Sequence, residues 1–300
     1  IESNGAASDV ALTIEENSKS AALSSATKIV DGTKFDTFLE SIFNIICVIP
    51  LKDYTYHLHL ECVNVILVLC SVYLFNQQTT ERSTIFRTIY QCKYASTLLA
   101  TLLHFVSRLK PLPSQGPYGF DNSGGSFVFG LAESMWSLLT FSKKTPESEE
   151  LPKSFKENFP LGNQSLLLIL ILTNHNADDS VDIKNNPYRY SLFNCSNSTE
   201  FLKEDDAGSF KIDYSGLYQT ICKITHLDQT TLLLYLLLHR NERFYKFVMS
   251  QPNLQELVVP ILQILYNAPD SSSHHIYMSL IVMLILSEDD GFNKNVHEIM

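Results

Sequence analysis

Glycine is scarce in this chain of 300 residues, with 11, as are cysteine, with six, and tryptophan, with one. Few glycines leave little material for phosphate-cradling loops. The one candidate, around Gly119, Gly124, Gly125 and Gly130, has Gly125 where such a loop needs lysine after its second glycine, so it reads as a flexible loop. No two cysteines have the C-x-x-C spacing of a zinc or redox site. Cys47, Cys62, Cys70, Cys92 and Cys222 fall in apolar helical stretches, where free thiols are commonly buried, and a reducing compartment is expected. There the three glycosylation sequons, at Asn163, Asn194 and Asn197, would stay unmodified. Basic residues are outnumbered, 22 against 32, and the net charge of −10 has the wrong sign for a nucleic-acid partner.

Long hydrophobic runs are also missing. A membrane-spanning helix needs about 20 mainly apolar residues. The longest stretch, Cys62 to Phe75, has 14 and includes Asn64 and Ser71, and Ile276 to Leu286 has 11, lengths that suit buried core helices.

Catalytic templates fail in turn. No G-x-S-x-G nucleophile elbow occurs. A calcium-loop register over Leu286 to His297 puts Leu first and His twelfth, where carboxylates are required. His297-Glu298 could begin an H-E-x-x-H motif whose second His would be residue 301, and as a two-residue match it reads as chance; His57 and His59 are two apart, which on a helix points them in different directions. His274 and His275 read as a partly exposed helix start, and Glu288 to Gly291 as a solvated turn. No catalytic, cofactor-binding or metal-ligating residue is assigned and no cofactor is expected. A binding protein is favoured over an enzyme.

What is present is helical periodicity. Residues 1–30 are rich in Ser, Ala, Asn and Glu and are expected to be disordered. From there Phe35, Phe38, Leu39, Ile42, Phe43 and Ile46 mark an amphipathic helix ended by Pro50. A second helix is expected from an Asp53 cap to about Phe75, a third from Tyr94 to Leu109, and a short one over 127–141 carrying Trp136. Flexible loops are expected at about 110–126, 142–160 and 174–212, the last containing a short element from Pro187 to Phe193. Four closely spaced helices follow, at about 213–224, 228–239, 253–267 and 274–287. Asp228, the serines 271–273, and Asn253 with Glu256 are the expected caps. Pro260 is expected to sit inside the third of these helices and bend it.

The runs Leu166–Leu172, Leu232–Leu238 and Leu280–Leu286 could instead be strands of a parallel sheet, which periodicity alone does not exclude. Their leucine content, the preceding caps and the absence of glycine turns favour helices. Helices apolar on nearly every face must be covered on two sides, as in stacked layers. Starts near 213 and 253 are about one HEAT or armadillo repeat apart, within the 40 to 47 residues of such units. The expected fold is all-α over 31–300, stacked helical hairpins of an α-solenoid with long disordered insertions.

Several stretches carry a family resemblance: Asn163 to Leu168, Asn186-Pro187-Tyr188-Arg189, Asp228 to Tyr235, Ser273 to Met278, and Ser287-Glu288-Asp289-Asp290-Gly291-Phe292-Asn293. In order and spacing they resemble the dymeclin family, and Phe35 to Phe75 does so more loosely. The termini, with Ile1 in place of an initiator Met, suggest an internal piece of a longer chain. The resemblance implies a non-enzymatic cytoplasmic protein, peripherally associated with the Golgi apparatus, that supports Golgi organisation and vesicle trafficking. Its implied partners are other proteins of the Golgi trafficking machinery. It would meet the Golgi membrane through N-terminal parts that in the family carry a myristoylation signal. A multispanning membrane protein and an enzyme with an unrecognised site are the alternatives.

Overall fold

The structure is a computed structural model that describes residues 34–75, 79–113, 155–175, 186–200 and 208–299. The expected disorder of 1–30, the short helix with Trp136, and most of the expected loops at 110–126 and 142–160 lie outside these residues. The chain divides into two compact units, up to Ile42 and from Phe43 onward. In the first, the described residues open helix α1 (34–48) and bury Leu39 and Ile42.

The second unit completes α1 and continues through α2 (Tyr56–Phe75), α3 (Thr79–Tyr90), α4 (Ala95–Arg108), α5 (Pro160–Asn174) and α6 (Pro187–Asn194). After β1 (Ser196–Asn197) and β2 (Lys211–Ile212) come α7 (Tyr214–Ile224), α8 (Asp228–Arg240), α9 (Glu242–Met249), α10 (Gln255–Tyr266), α11 (Ser273–Ser287) and α12 (Asp290–Ile299). The described residues are thus mostly helical, and all three leucine runs that could have been strands lie within α5, α8 and α11. The expectation of no sheet is corrected in one detail: β1 and β2 form a parallel pair of two residues each, Ser196 opposite Lys211 and Asn197 opposite Ile212. So short a pair adds no layer; it closes the chain around residues 198–210.

Other expectations need correction. Asp53 caps nothing: it starts a 3-10 turn (Asp53–Thr55), and α2 begins after it. Asp228 is the first residue of α8, after the N-cap Leu227, and its carboxylate is engaged elsewhere. The start of α10 has Leu254 as N-cap and no side-chain cap, so the Asn253–Glu256 capping box does not form. Ser272 does cap α11, accepting from the His275 N–H at 3.2 Å. Helices α3, α9 and α12 were not expected: α3 and α12 are largely polar, and α9 has only eight residues. Flexibility is also overestimated at the edges of the expected loops. Residues 155–158 are helical with Phe155 buried, Pro160 opens α5, and within 174–212 Tyr188, Leu192, Cys195 and Ser196 are fully enclosed.

Helix order follows from apolar coverage. α5 buries thirteen of its fifteen residues. It does so because α2, α4, α6 and α8 all pack on it. Gly162 permits a close approach at the end of α4: a Cβ there would stand 3.0 Å from Leu109 Cδ2. Leu109 itself adopts the left-handed conformation (φ 39°) that ends α4 before Lys110-Pro111. The contacts form two rows. In one, α2 packs on α5, α5 on α8 and α8 on α11; in the other, α4 packs on α7 and α7 on α10. The pairs α4–α5, α7–α8 and α10–α11 join the rows. The last six helices also recur in order: α10, α11 and α12 begin 41, 45 and 48 residues after α7, α8 and α9. Each third helix starts alike. Asn241 Oδ1 accepts from the Phe244 N–H and Asp289 Oδ1 from the Phe292 N–H, both at 2.9 Å, and both phenylalanines are buried.

Pro260 lies inside α10, which continues on both sides of it. The buried stripe is Leu254, Leu257, Ile261 and Ile264, and Leu262 is exposed. Proline has no N–H to give the Glu256 carbonyl, which costs about 3 kcal/mol in a helix interior. Burying the stripe, at about 1.5 to 3 kcal/mol per side chain, exceeds that and keeps the helix whole. Pro260→Ala should therefore retain the fold and raise the urea-unfolding free energy by about 1 to 3 kcal/mol, less whatever the looser unfolded chain takes back. An unchanged or lower midpoint would contradict this account of α10.

Candidate functional site

Some buried polar side chains, such as Asn64, Ser165 and Ser279, lie in helix interiors, but hydrogen-bonded groups at helix ends form three junctions. The first brings together two of the stretches that carried the family resemblance. Asp228 stands at the start of α8 and Ser272 and His275 at the start of α11, beyond the end of α7 where Thr225 lies. His275 Nδ1 is 3.1 Å from Asp228 Oδ1, the Ser272 hydroxyl donates to Asp228 Oδ2 at 2.6 Å, and His275 Nε2 faces the Thr225 carbonyl oxygen at 3.2 Å. Serine, aspartate and histidine thus meet, but in the wrong order for nucleophile activation. The serine donates to the carboxylate rather than to the imidazole, and Nε2 meets a carbonyl rather than a hydroxyl. The junction joins the starts of α8 and α11 to the end of α7.

Electrostatics agree with that role. Burial pushes the Asp228 carboxyl up, yet the His275 imidazole and then the Ser272 hydroxyl outweigh it and hold the carboxyl below its ordinary range. The neighbouring His226 imidazole is lowered, by burial first and then by repulsion from His275. The sequence placed both residues 274 and 275 in a partly exposed cap. His274 is exposed, but His275 is 5 % exposed and belongs to the core. An aspartate opening one helix and Ser-Ser-His-His opening another were both visible; only the packing of α8 on α11 shows that they meet.

The second junction centres on Asn186. Its Oδ1 caps α6 by accepting from the Tyr188 and Arg189 N–H groups, both at 3.0 Å, while Nδ2 donates to the Leu172 carbonyl at 2.8 Å. Arg189 Nε donates to the Thr173 carbonyl at 2.7 Å, so a cation sits at the negative end of the α5 dipole. Tyr188 reaches across to donate to the Ile89 carbonyl at 3.0 Å, and the Tyr90 hydroxyl meets His175 Nδ1 at 2.6 Å. The Asn-Pro-Tyr-Arg stretch is therefore a splice between α3, α5 and α6.

The third is Asn241, whose Nδ2 donates to the Leu192 and Cys195 carbonyls at 3.1 and 3.0 Å while its Oδ1 caps α9. Burial raises the Cys195 thiol to about 12, against the opposing hydrogen bonds of Tyr214 and Asn241, so it is a protonated packing group and no nucleophile. His59, fully buried, has both ring nitrogens against carbonyl oxygens, Thr55 at 2.8 Å and Ile49 at 2.9 Å, and ties α2 to the end of α1; His57 lies apart from it on the half-exposed side. Asn163, the first sequon, is 3 % exposed inside α5.

A cleft of about 670 Å³ is lined by Cys47, Pro50, His104, Arg108, Lys110 and neighbours. Of its basic groups, Lys110 is paired with Asp53 at 2.8 Å, and His104 is lowered by burial and then by Arg108. Among the described residues no group of three His, Cys, Asp or Glu side chains gathers to hold a metal, and no helix is long and apolar enough to cross a membrane.

Fold and junctions together define a helical protein in which buried polar groups at several helix ends bind helix to helix. The whole sequence is matched over residues 3–300 by the family model Dymeclin: Dyggve-Melchior-Clausen syndrome protein. Dymeclin of Drosophila melanogaster is 54% identical over 294 residues, covering 95% of this chain and 41% of the relative. Dymeclin of Xenopus laevis is 37% identical over 281 residues (89% and 40%) and that of Mus musculus 36% over 280 (88% and 40%). The chain belongs to the dymeclin family, and it spans about two fifths of the length of these relatives. No solved structure matches it.

Two substitutions test the junctions. Because the Asp228 carboxyl is lowered in the fold, its contribution is present above the unfolded value, near 3.8, and is lost as pH falls through the lower folded one. Asp228→Asn should cost about 1 to 3 kcal/mol near neutral pH, and its gap from the parent should close progressively below about pH 4 in urea titrations. A gap independent of pH would show that the carboxylate charge is not what holds α8 to α11. Asn186→Ala, which loses a cap and strands the Leu172 carbonyl, should cost about 2 to 3 kcal/mol and speed proteolytic cutting between residues 175 and 186.

Proposed function

We propose that this chain is part of a non-enzymatic helical scaffold that supports Golgi organisation and vesicle trafficking by holding other proteins. What carries the reading is the two-row order of the helices, α2–α5–α8–α11 beside α4–α7–α10, with the order of α7 to α9 recurring in α10 to α12. Such an order supports reading the chain as an α-solenoid, a fold whose layers touch only their neighbours and whose long flanks serve as binding surfaces. The polar junctions support it, since their groups are spent on joining helices rather than turned toward a substrate. Family membership supports the Golgi setting, through the resemblance described above. On this reading the protein is cytoplasmic, meets the Golgi surface peripherally, and has proteins of the trafficking machinery as partners.

Fractionation of cells expressing a family-length protein tests this. It should travel with Golgi membranes and leave them in alkaline carbonate, and native pull-downs should recover trafficking proteins. Retention in the carbonate pellet would favour a membrane-spanning protein, and absence from Golgi fractions would overturn the assignment.

A further inference from the structure

The helix α11 has the sequence of a doubly covered helix and the burial of a singly covered one. Like α5, it is apolar on every side: Ile276, Tyr277, Met278, Leu280, Ile281, Val282, Met283, Leu284, Ile285 and Leu286 run nearly unbroken. Yet α5 buries thirteen of fifteen residues, and α11 only four, His275, Ser279, Val282 and Leu286. The difference lies in the neighbours. Row-mates α2 and α8 cover α5 on two sides, whereas α11 has α8 before it and no row-mate after it among the described residues. Tyr277, Leu280 and Leu284, at helical spacing on one face, are 64, 52 and 61 % exposed. Its partner α10 repeats the pattern: Val259, Leu262 and Tyr266 are 48, 47 and 88 % exposed, opposite the buried stripe of Leu257, Ile261 and Ile264.

Exposed apolar faces of this kind on two helices that pack together signal a missing contact. We infer that the face of α10 and α11 bearing Val259, Leu262, Tyr277, Leu280 and Leu284 is the seat of the next helical layer of the same polypeptide, the part of a family-length chain that continues the stack. This rests on the stacked-layer reading above. Three observations select that occupant. The relatives are matched over only about two fifths of their length, so family-length chains hold ample further sequence. The spacing of the recurring helices is already advanced: α12 stands to α11 as α9 stands to α8, the short capped helix that precedes the next long pair. The face is bordered by exposed Glu256 and Glu288 and has no exposed Lys or Arg on either helix, which suits helix packing and disfavours an anionic lipid surface.

Cysteine accessibility in the family-length protein tests the seat. Leu284→Cys and, as an open reference, Lys246→Cys, whose parent side chain is 71 % exposed, are pulsed with a maleimide and read by peptide mass spectrometry. Leu284→Cys should label at least about tenfold more slowly, at all protein concentrations, in a monomer by light scattering. Equal labelling overturns the inference. So does protection that appears only in a dimer, which makes a second copy the occupant. Hydrogen exchange of α7, α8, α10 and α11 keeps the two readings apart. Fast exchange there overturns the stack and the seat together, whereas slow exchange with a freely labelled Leu284→Cys overturns the seat alone.

Discussion

The structure depends on one constraint: leucine-rich helices with almost no polar face must be covered on two opposite sides. At about 25 cal/mol per Å² of apolar surface, a helix such as α5 gains from a second neighbour as much as from the first. A lone hairpin offers each helix one neighbour. Two parallel rows offer two, and α5 and α8 take both. The row order is thus what this composition demands once the chain is helical, and the unburied face of α11 follows from the same rule.

Apolar coverage by itself is indifferent to register, because leucine packs about equally well after sliding along leucine. The junctions supply what the core lacks. Asp228, Ser272 and His275 fix where α8 starts relative to α11, Asn186 and Arg189 fix the end of α5 against α6, and Asn241 fixes α9 against residues 192–195. Each is a directional interaction at a helix end, where backbone groups need partners. A buried polar group left unpaired costs about 1 to 3 kcal/mol, so a slipped register would lose several at once.

How much of this could be read from the sequence divides along the same line. The amphipathic helices were legible from periodicity, as at Phe43 and Ile46 in α1, and α5, α8 and α11 from leucine content and the turn signals around them, because both kinds of signal are local. So were the cap at Ser272 and the continuity of α10 across Pro260. Short helices such as α9 escaped, since Glu242 to Met249 has too few turns to show a period and is held by Asn241 and the Tyr214, Phe244 and Phe247 rings. The junctions escaped because their members lie far apart in sequence. Asp228 looked like a cap because caps are what aspartates at helix starts usually are; its partner His275 is 47 positions on. The polar surroundings of Pro187 to Cys195 suggested a loose insertion, and only Tyr188, Leu192 and Cys195, spaced among them, hinted at burial.

Anchoring at the ends also fixes where the described helices and strands leave and resume the packed core. The chain leaves α5 at Asn174 and returns at Asn186, whose side chain bonds the Leu172 carbonyl; it leaves β1 near residue 200 and returns to β2, one strand away. Both exits are therefore fixed to both re-entries within a few ångströms. The entropy of closing such a loop grows only as the logarithm of its length, about 0.6 kcal/mol for each doubling. Once the flanks are pinned, the length of sequence between them hardly affects the helices on either side. The helical frame on either side is therefore set by the pinned ends, Asn186 against the Leu172 carbonyl and β1 against β2, and not by the sequence between them.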